Sequence, residues 1–130
     1  MARVTVVNDN PEFLELVGEI LTQDRYETTL VDGDAPDAIE RVRGSQPDVL
    51  MIDLRMGQDE LHGWQVVQQL RADASFADLP ILLCSADSRA LQAIESELAD
   101  THNVVTLTKP FRIDELMHRV DELLSQPQAH

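Results

Sequence analysis

The chain has 130 residues, 43% of them hydrophobic, a length and composition that fit one domain with a packed core. Its formal net charge of −14 would repel nucleic acids and anionic membranes, so we expect no direct binding to either. The single cysteine, Cys84, excludes an internal disulfide, and no apolar run approaches the length of a membrane span. These features predict a soluble domain in the cytoplasm.

Short apolar runs rich in β-branched residues alternate with helix-period segments along the chain, as expected for strands buried on both faces. Five strands are predicted, at Val4–Val7, Thr28–Val31, Val49–Ile52, Ile81–Cys84 and Val104–Leu107. Five strand–helix repeats predict an α/β fold, an open and doubly wound parallel five-stranded sheet with helices on both faces. We expect this domain to cover residues 1–125, with residues 126–130 as a C-terminal tail or the start of a linker.

Capping signals mark the first two helices. Asn10 is the predicted N-cap of the first helix, with Pro11 as its first residue. Asp34 is the predicted N-cap of the second helix, which Gly44 should end. Three more helices are predicted, over residues 61–70, 88–99 and 113–124.

Polar side chains that could bind ions or take part in a reaction follow four of the five predicted strands. They are Asn8 and Asp9, then Asp53, Ser85 and Lys109. Because ligands bind at the carboxyl ends of parallel strands, these side chains should lie together. Asp9 and Asp53 would form an oxygen-rich site for Mg²⁺, and a carboxylate beside such a cation can attack a phosphoryl group. Ser85 and Lys109 would then contact the phosphoryl oxygens.

Each of these residues also has a simpler structural interpretation when it is taken singly. Asp9 could stabilise the first helix, Asp53 could end a strand, and Ser85 could begin a turn. Lys109 is the only lysine beside nine arginines, which composition bias alone could produce. A lysine is nevertheless suited to hold one anionic oxygen in a pocket, because its ammonium group is a compact charge on a flexible stem.

Four motifs together carry a family resemblance. They are the segments Val6–Pro11, Pro47–Met56, Leu83–Ala86 and Thr108–Phe111. In order and spacing the chain resembles the receiver domain of two-component response regulators, up to about Leu124. The resemblance implies a flavodoxin-like (βα)5 fold with strand order 2-1-3-4-5.

The resemblance also implies a function. Asp53 would be the phosphoacceptor, phosphorylated in the presence of Mg²⁺ by a histidine kinase or phosphotransfer protein, and the domain would switch a partner or output domain. It would catalyse only its own phosphoryl transfer and dephosphorylation. The implied site residues are Asp9, Asp53 and the backbone carbonyl of Arg55 as Mg²⁺ ligands, Asn8 through a water molecule, Ser85 and Lys109 as phosphoryl contacts, and a cis Lys109–Pro110 bond.

Three positions depart from the family pattern. Asn8 replaces an acidic residue, which predicts weaker Mg²⁺ binding than in a two-acid relative. Thr106 replaces the usual aromatic residue three positions before the lysine, which removes a ring that reports phosphorylation. Gly57 follows Met56 in place of proline, in a loop about two residues longer than usual before Gly63, and should loosen that loop.

Two other functions compete with a phosphorylated receiver. A pseudo-receiver would dock proteins without phosphorylation, and the three departures keep this alternative open. A haloacid-dehalogenase-like hydrolase also uses Asp, Ser, Lys and Mg²⁺, but its nucleophile strand comes first, which this motif order contradicts. Dimerisation through the last helices is left open. The four histidines have no metal-ligand spacing and should lie at the surface; they are His62, His102, His118 and His130.

Overall fold

A computed structural model describes residues 2–101 and 103–125 and contains one sheet of five parallel strands in the order β2-β1-β3-β4-β5. The strands are β1 (Arg3–Asn8), β2 (Glu27–Asp32), β3 (Val49–Asp53), β4 (Ile81–Ser85) and β5 (Val104–Thr108). The predicted fold class and strand order are therefore confirmed. β1 and β2 are one residue longer than predicted at each end, and the other three strands are one residue longer at the carboxyl end only.

Helices cover both faces of this sheet. They are α1 (Pro11–Gln23), α2 (Ala38–Ser45), α3 (His62–Arg71), α4 (Ser88–Ala93), α5 (Glu95–Ala99) and α6 (Ile113–Ser125), with a short 3-10 helix at Ala74–Phe76. One buried apolar cluster joins α1 and α6 to alternate strand residues, and a second joins α2, α3 and α4 to the others. This alternation follows from the two-residue period of a strand, which sends neighbouring side chains to opposite faces.

The beginning of α1 agrees with the sequence. The Asn10 side chain accepts hydrogen bonds from the backbone amides of Glu12 at 2.9 Å and Phe13 at 3.3 Å, and Pro11 is the first helical residue. These bonds satisfy amides that have no partner inside the helix. The cap therefore fixes the short connection that carries Asn8 and Asp9 from β1 into α1.

The prediction for α2 was wrong at both ends. The helix begins at Ala38, four residues after Asp34, and the backbone amide of Asp34 instead donates to the Asp32 side chain at 2.9 Å in a turn. Gly44 lies inside the helix, and the left-handed residue after it is Gln46, with φ of 48°. The turn at 33–37 competed successfully with the helix because an Asp side chain readily bonds an amide two residues ahead.

The helix predicted over residues 88–99 is divided in two. Ile94, with φ of −112° and ψ of 9°, separates α4 from α5. Its side chain is only 2% exposed and packs in the apolar cluster of α2, α3 and α4. The helical period of the sequence predicted one continuous element, whereas the backbone turns where this side chain enters the core.

Gly63 allows α3 to start very close to the end of β3. A Cβ atom at Gly63 would lie 2.1 Å from the backbone oxygen of Asp53, too short for any real contact. The amide of Gly63 also donates to the carbonyl of Leu54 at 2.8 Å. The close approach therefore fixes the backbone that carries Asp53.

We expect Gly63→Ala to lower the free energy of unfolding by about 1–3 kcal/mol or more, because backbone atoms must move to admit the methyl group. Gly44→Ala is the matched control: a Cβ there meets nothing within 4 Å, and alanine should stabilise the helix by up to about 1 kcal/mol. Urea denaturation of both variants measures the two changes. Equal effects of the two substitutions would contradict this account.

Candidate functional site

Apart from Asn8, the side chains predicted from the strand ends lie around one cleft at the carboxyl edge of the sheet. The cleft has a volume of about 580 Å³ and is lined by Asp9, Asp53, Arg55, Gly57, Ser85, Ala86, Asp87, Ser88, Arg89 and Lys109. Strand register explains the convergence, since Asp53 pairs with Cys84 on β4 and Ser85 pairs with Thr108 on β5. Successive strand ends therefore present Asp53, Ser85 and Lys109 side by side.

The ion pair between Lys109 and Asp53 is at the centre of this cleft. The Lys109 Nζ atom lies 2.9 Å from Oδ1 of Asp53, and the two side chains are 24% and 13% exposed. The backbone amide of Lys109 donates to the carbonyl of Ser85 at 2.8 Å, and the Lys109–Pro110 bond is cis as the resemblance implied. Backbone pairing at the end of β5 thus sets the direction in which the lysine stem leaves the sheet.

Burial raises the pKa of the Asp53 carboxyl above its ordinary value of 3.8, and the nearby charge of Asp9 raises it further. The Lys109 ammonium opposes this rise through its hydrogen bond and its charge. Burial prevails because water no longer solvates the carboxylate on all sides. Asp53 is therefore a carboxylate held in a costly environment that additional positive charge would relieve.

Asp9 is held on the far side of the cleft by the loop after β3. Its Oδ2 atom accepts a hydrogen bond from the backbone amide of Gly57 at 2.7 Å. Gly57 has φ of 63°, and Met56 forms an antiparallel bridge with Asp59 in the same loop. Proline at position 57 would have neither this amide hydrogen nor this φ. Glycine therefore provides a hydrogen bond to Asp9, and the expected loosening of the loop is offset by this bond and the bridge.

Asn8 differs from the other predicted site residues because it does not line the cleft. It is 2% exposed, and its Oδ1 atom accepts a hydrogen bond from the backbone amide of Asn10 at 2.8 Å. Its side chain thereby supports the turn between β1 and α1. The role predicted for it, holding a water molecule bound to the metal, stays a prediction.

The Ser85 hydroxyl is engaged within its own turn. It accepts a hydrogen bond from the amide of Asp87 at 2.9 Å and lies 3.1 Å from the Asp87 carbonyl. Asp87 in turn caps α4 by accepting from the amides of Arg89 and Ala90. The hydroxyl would have to rotate away from the Asp87 carbonyl to donate to a phosphoryl oxygen.

Two features of the site were missed in the sequence. The centre of the Phe13 ring, in the first turn of α1, lies 4.4 Å from the Lys109 Nζ atom. Arg89 lines the cleft from the first turn of α4. Its position four residues after Ser85 was the available signal, whereas nothing in the sequence related Phe13 to Lys109.

The sequence matches a known family model over most of its length. Residues 4–121 match the model of the family described as the response regulator receiver domain. The chain belongs to this family. Its members are receiver domains of two-component systems, and the sheet order and helices described above are those of their flavodoxin-like fold.

Curated relatives contain this receiver domain as one part of a longer protein. The hybrid signal transduction histidine kinase D of Dictyostelium discoideum is 33% identical over 129 residues, which cover 97% of this chain and 8% of that protein. The DNA-binding dual master transcriptional regulator RpaA of Synechocystis is 31% identical over 139 residues, covering 99% of this chain and 53% of that protein. The receiver domain thus spans about half of one relative and a small part of the other.

Solved structures of receiver domains superpose closely. The response regulator protein TrrA from Thermotoga maritima, in complex with Mg²⁺ and BeF, has a TM-score of 0.77 at 28% identity and covers 95% of this chain and 100% of that one. The receiver domain of a sensor histidine kinase from Pseudomonas aeruginosa, with a magnesium ion in its active site cleft, has a TM-score of 0.78 at 25% identity, covering 96% and 98%.

The oxygen atoms at the cleft suit a hard cation that keeps part of its water shell. The carboxylates of Asp9 and Asp53 line the cleft together with Arg55. In the described part of the chain, no three His, Cys, Asp or Glu side chains are grouped to hold a metal ion. The described residues therefore contain no metal site built from three or more of these side chains. Mg²⁺ fits a smaller set of ligands, because it usually retains several water molecules.

Other candidate groups in the receiver domain have no part in this cleft. Burial raises the pKa of the Cys84 thiol to about 12, so it stays protonated and unreactive at neutral pH. Of the four histidines, His118 is exposed and His62 is half-buried, while His102 and His130 lie outside the described residues. None of the described helices has the length and apolar character needed to cross a membrane.

The raised pKa of Asp53 predicts how stability depends on pH. Because the pKa of Asp53 is higher in the folded state than in the unfolded state, protonation of this carboxyl stabilises the fold. This contribution to the free energy of unfolding is fully present below the ordinary pKa of 3.8 and is lost as the pH rises through the higher folded-state pKa. In metal-free buffer, the free energy of unfolding of Asp53→Asn should therefore exceed that of the wild type by more at about pH 7 than at about pH 4.

Denaturant titrations across this range measure the difference. Asp37→Asn is the control, because the hydrogen bond with Arg41 lowers the pKa of the exposed Asp37 carboxyl. The stability that comes from a lowered pKa is lost as the pH falls, so the difference between Asp37→Asn and the wild type should change little between these two pH values, and not in the direction expected for Asp53→Asn. An Asp53→Asn difference that stays constant or shrinks toward neutral pH would refute the prediction.

Proposed function

We propose that this receiver domain accepts a phosphoryl group on Asp53 and thereby switches a partner protein or output domain. The observation that carries the proposal is the 2.9 Å ion pair between Lys109 and Asp53 in a cleft also lined by Asp9. Phosphoryl transfer depends mainly on positioning and on neutralising the charge of the transferred group. A nucleophilic carboxylate, a fixed ammonium and a second carboxylate for a cation meet these needs.

In the proposed reaction, an Asp53 carboxylate oxygen forms a bond to phosphorus while the bond from phosphorus to the donor nitrogen or oxygen breaks. The electron pair of that bond leaves with the donor. Asp53 must be ionised to attack, and Lys109 favours the ionised form against the effect of burial. Lys109 then stays beside the acyl phosphate, where it would contact one phosphoryl oxygen, and Ser85 would donate to another.

Mg²⁺ would be held by Asp9, Asp53 and the backbone carbonyl of Arg55, which lie along the same cleft. The amide of Gly57 keeps Asp9 directed to this position. When bound, the cation would supply positive charge to the phosphoryl oxygens. The Mg²⁺ named with the structures of two receiver domains of this fold supports the proposal.

A histidine kinase or a phosphotransfer protein is the proposed phosphodonor, in the cytoplasm. Relatives include a hybrid histidine kinase and DNA-binding regulators, so receiver domains of this kind work beside both kinases and output domains. The charge of −14 favours partners with basic surfaces over nucleic acid. Dimerisation through the last helices stays a prediction.

Incubation with Mg²⁺ and acetyl phosphate tests the proposal. The wild type should gain one labile phosphoryl group, seen as a single mass increase in the intact protein, and Asp53→Asn should gain none. Asp24→Asn, which removes an exposed carboxylate remote from the cleft, should behave like the wild type. Absence of the mass increase in the wild type would reject phosphorylation. Catalytic turnover of general phosphate esters would instead indicate a hydrolase.

Asn8→Asp should bind Mg²⁺ several-fold more tightly, because a carboxylate at the end of β1, next to Asp9, adds negative charge near the cation. Isothermal titration calorimetry at fixed ionic strength measures the two affinities. Asn10→Asp is the matched control, since it adds the same charge two residues further along, at the N-cap of α1 and outside the cleft lining. Equal Mg²⁺ affinities of Asn8→Asp and wild type would show that position 8 has no influence on the cation.

A constitutive docking module is the second candidate function. Asn8 supports it, because this side chain is turned into the β1–α1 connection and adds no charge to the cleft. Thr106 supports it as well, because it is exposed and has no ring to report phosphorylation. A docking module would keep its partner affinity in Asp53→Asn and would gain no phosphoryl group in the mass measurement.

A further inference from the structure

We propose that Phe13 is a positioning residue for Lys109, holding the ammonium group at Asp53 through the face of its ring. The proposal rests on the phosphoacceptor function inferred for Asp53. The Lys109 Nζ atom lies between two partners, 2.9 Å from the Asp53 carboxylate and 4.4 Å from the centre of the Phe13 ring. A cation within about 6 Å of an aromatic face is attracted by the negative potential of that face.

The ring itself is fixed from two sides. The amide of Phe13 donates to the Asn10 side chain in the first turn of α1. The ring packs edge-to-face on Phe111, with 6.2 Å between centroids and 87° between planes. Phe111 belongs to the segment between β5 and α6, so two separate parts of the chain determine where the Phe13 face lies. The edge-to-face arrangement of Phe13 and Phe111 is one that aromatic pairs prefer.

Lys109 needs this support because its stem borders two cavities. It lines the phosphoacceptor cleft and also an apolar groove of about 380 Å³ between α1 and the start of α6. A lysine side chain has four flexible bonds, and the groove offers space into which it could swing away from Asp53. Phe13 lines that same groove and lies against the ammonium group. The ring therefore keeps the charge on the side of the cleft.

The consequence for function is a pre-positioned ammonium group. Phosphoryl transfer to Asp53 places negative charge on the phosphoryl oxygens, which lie further from the carboxyl carbon than the carboxylate oxygens do. An ammonium group that is already in position stabilises that charge without reorganising. Leucine at position 13 would fill much of the same volume but has no ring potential. Tyrosine would keep the ring face. Loss with leucine and retention with tyrosine would separate positioning by the ring from simple packing.

The side-chain NMR signal of Lys109 provides a direct test, because the chain has no other lysine and the signal requires no assignment among lysines. The protons next to Nζ should be shifted upfield by the Phe13 ring in the wild type and in Phe13→Tyr. They should move to the free-lysine position in Phe13→Leu. Phe76→Leu, which removes a ring packed on the opposite face of the sheet, should leave the signal unchanged.

Kinetics complete the test. At saturating Mg²⁺, Phe13→Leu should lower the rate of Asp53 phosphorylation by acetyl phosphate between about twofold and thirtyfold, the range that matches cation–π energies. Phe13→Tyr should restore the rate. A Lys109 signal at the free-lysine position in the wild type would overturn the proposal without any variant, as would an unchanged rate in folded Phe13→Leu.

The two proposals fail in distinguishable ways. If the wild type is not phosphorylated at all, the phosphoacceptor function is wrong, and the NMR signal still reports whether the ring holds the ammonium group. If the wild type is phosphorylated but the Lys109 signal is independent of position 13, only the positioning role is wrong.

Discussion

The ion pair of Lys109 with Asp53 is the interaction on which the site depends. It joins the ends of two strands that are not neighbours, since β4 lies between β3 and β5. Parallel register brings these ends to the same edge, and the bond from the Lys109 amide to the Ser85 carbonyl continues that register beyond β5. The pair stabilises the ionised form of the Asp53 carboxyl against burial, which raises its pKa, and it requires that the neighbouring strands pair in their correct register.

The cleft around this pair differs in charge from the protein as a whole. Three carboxylates, of Asp9, Asp53 and Asp87, line the cleft, and so do the cationic groups of Arg55, Arg89 and Lys109. The cleft is therefore close to neutral within a chain of net charge −14. An anionic phosphodonor would be repelled by the surface at large, so local balance reduces the barrier to its approach.

Two of the three departures from the family pattern are accompanied by a local hydrogen bond. At the position where the family pattern implies a second acid, the Asn8 side chain accepts a hydrogen bond from the amide of Asn10 and supports its own turn. Where proline is usual, Gly57 gives an amide to Asp9. The metal site proposed here would therefore have one fewer carboxylate and one more hydrogen bond that orients the remaining one. Thr106 has no such replacement, so signalling from this domain would use other contacts.

The sequence alone determined the five strands, the parallel fold and the residues at the strand ends, because the two-residue and 3.6-residue periods and the α1 capping signal are local. The tertiary structure decided the rest. Contacts between residues far apart in the chain decided three features. They are the turn that follows Asp34, the break between α4 and α5 at Ile94, and the aromatic ring that faces Lys109. The Phe13 ring and the Lys109 ammonium meet only when the sheet is formed, since 95 intervening residues separate them and no local pattern records their distance.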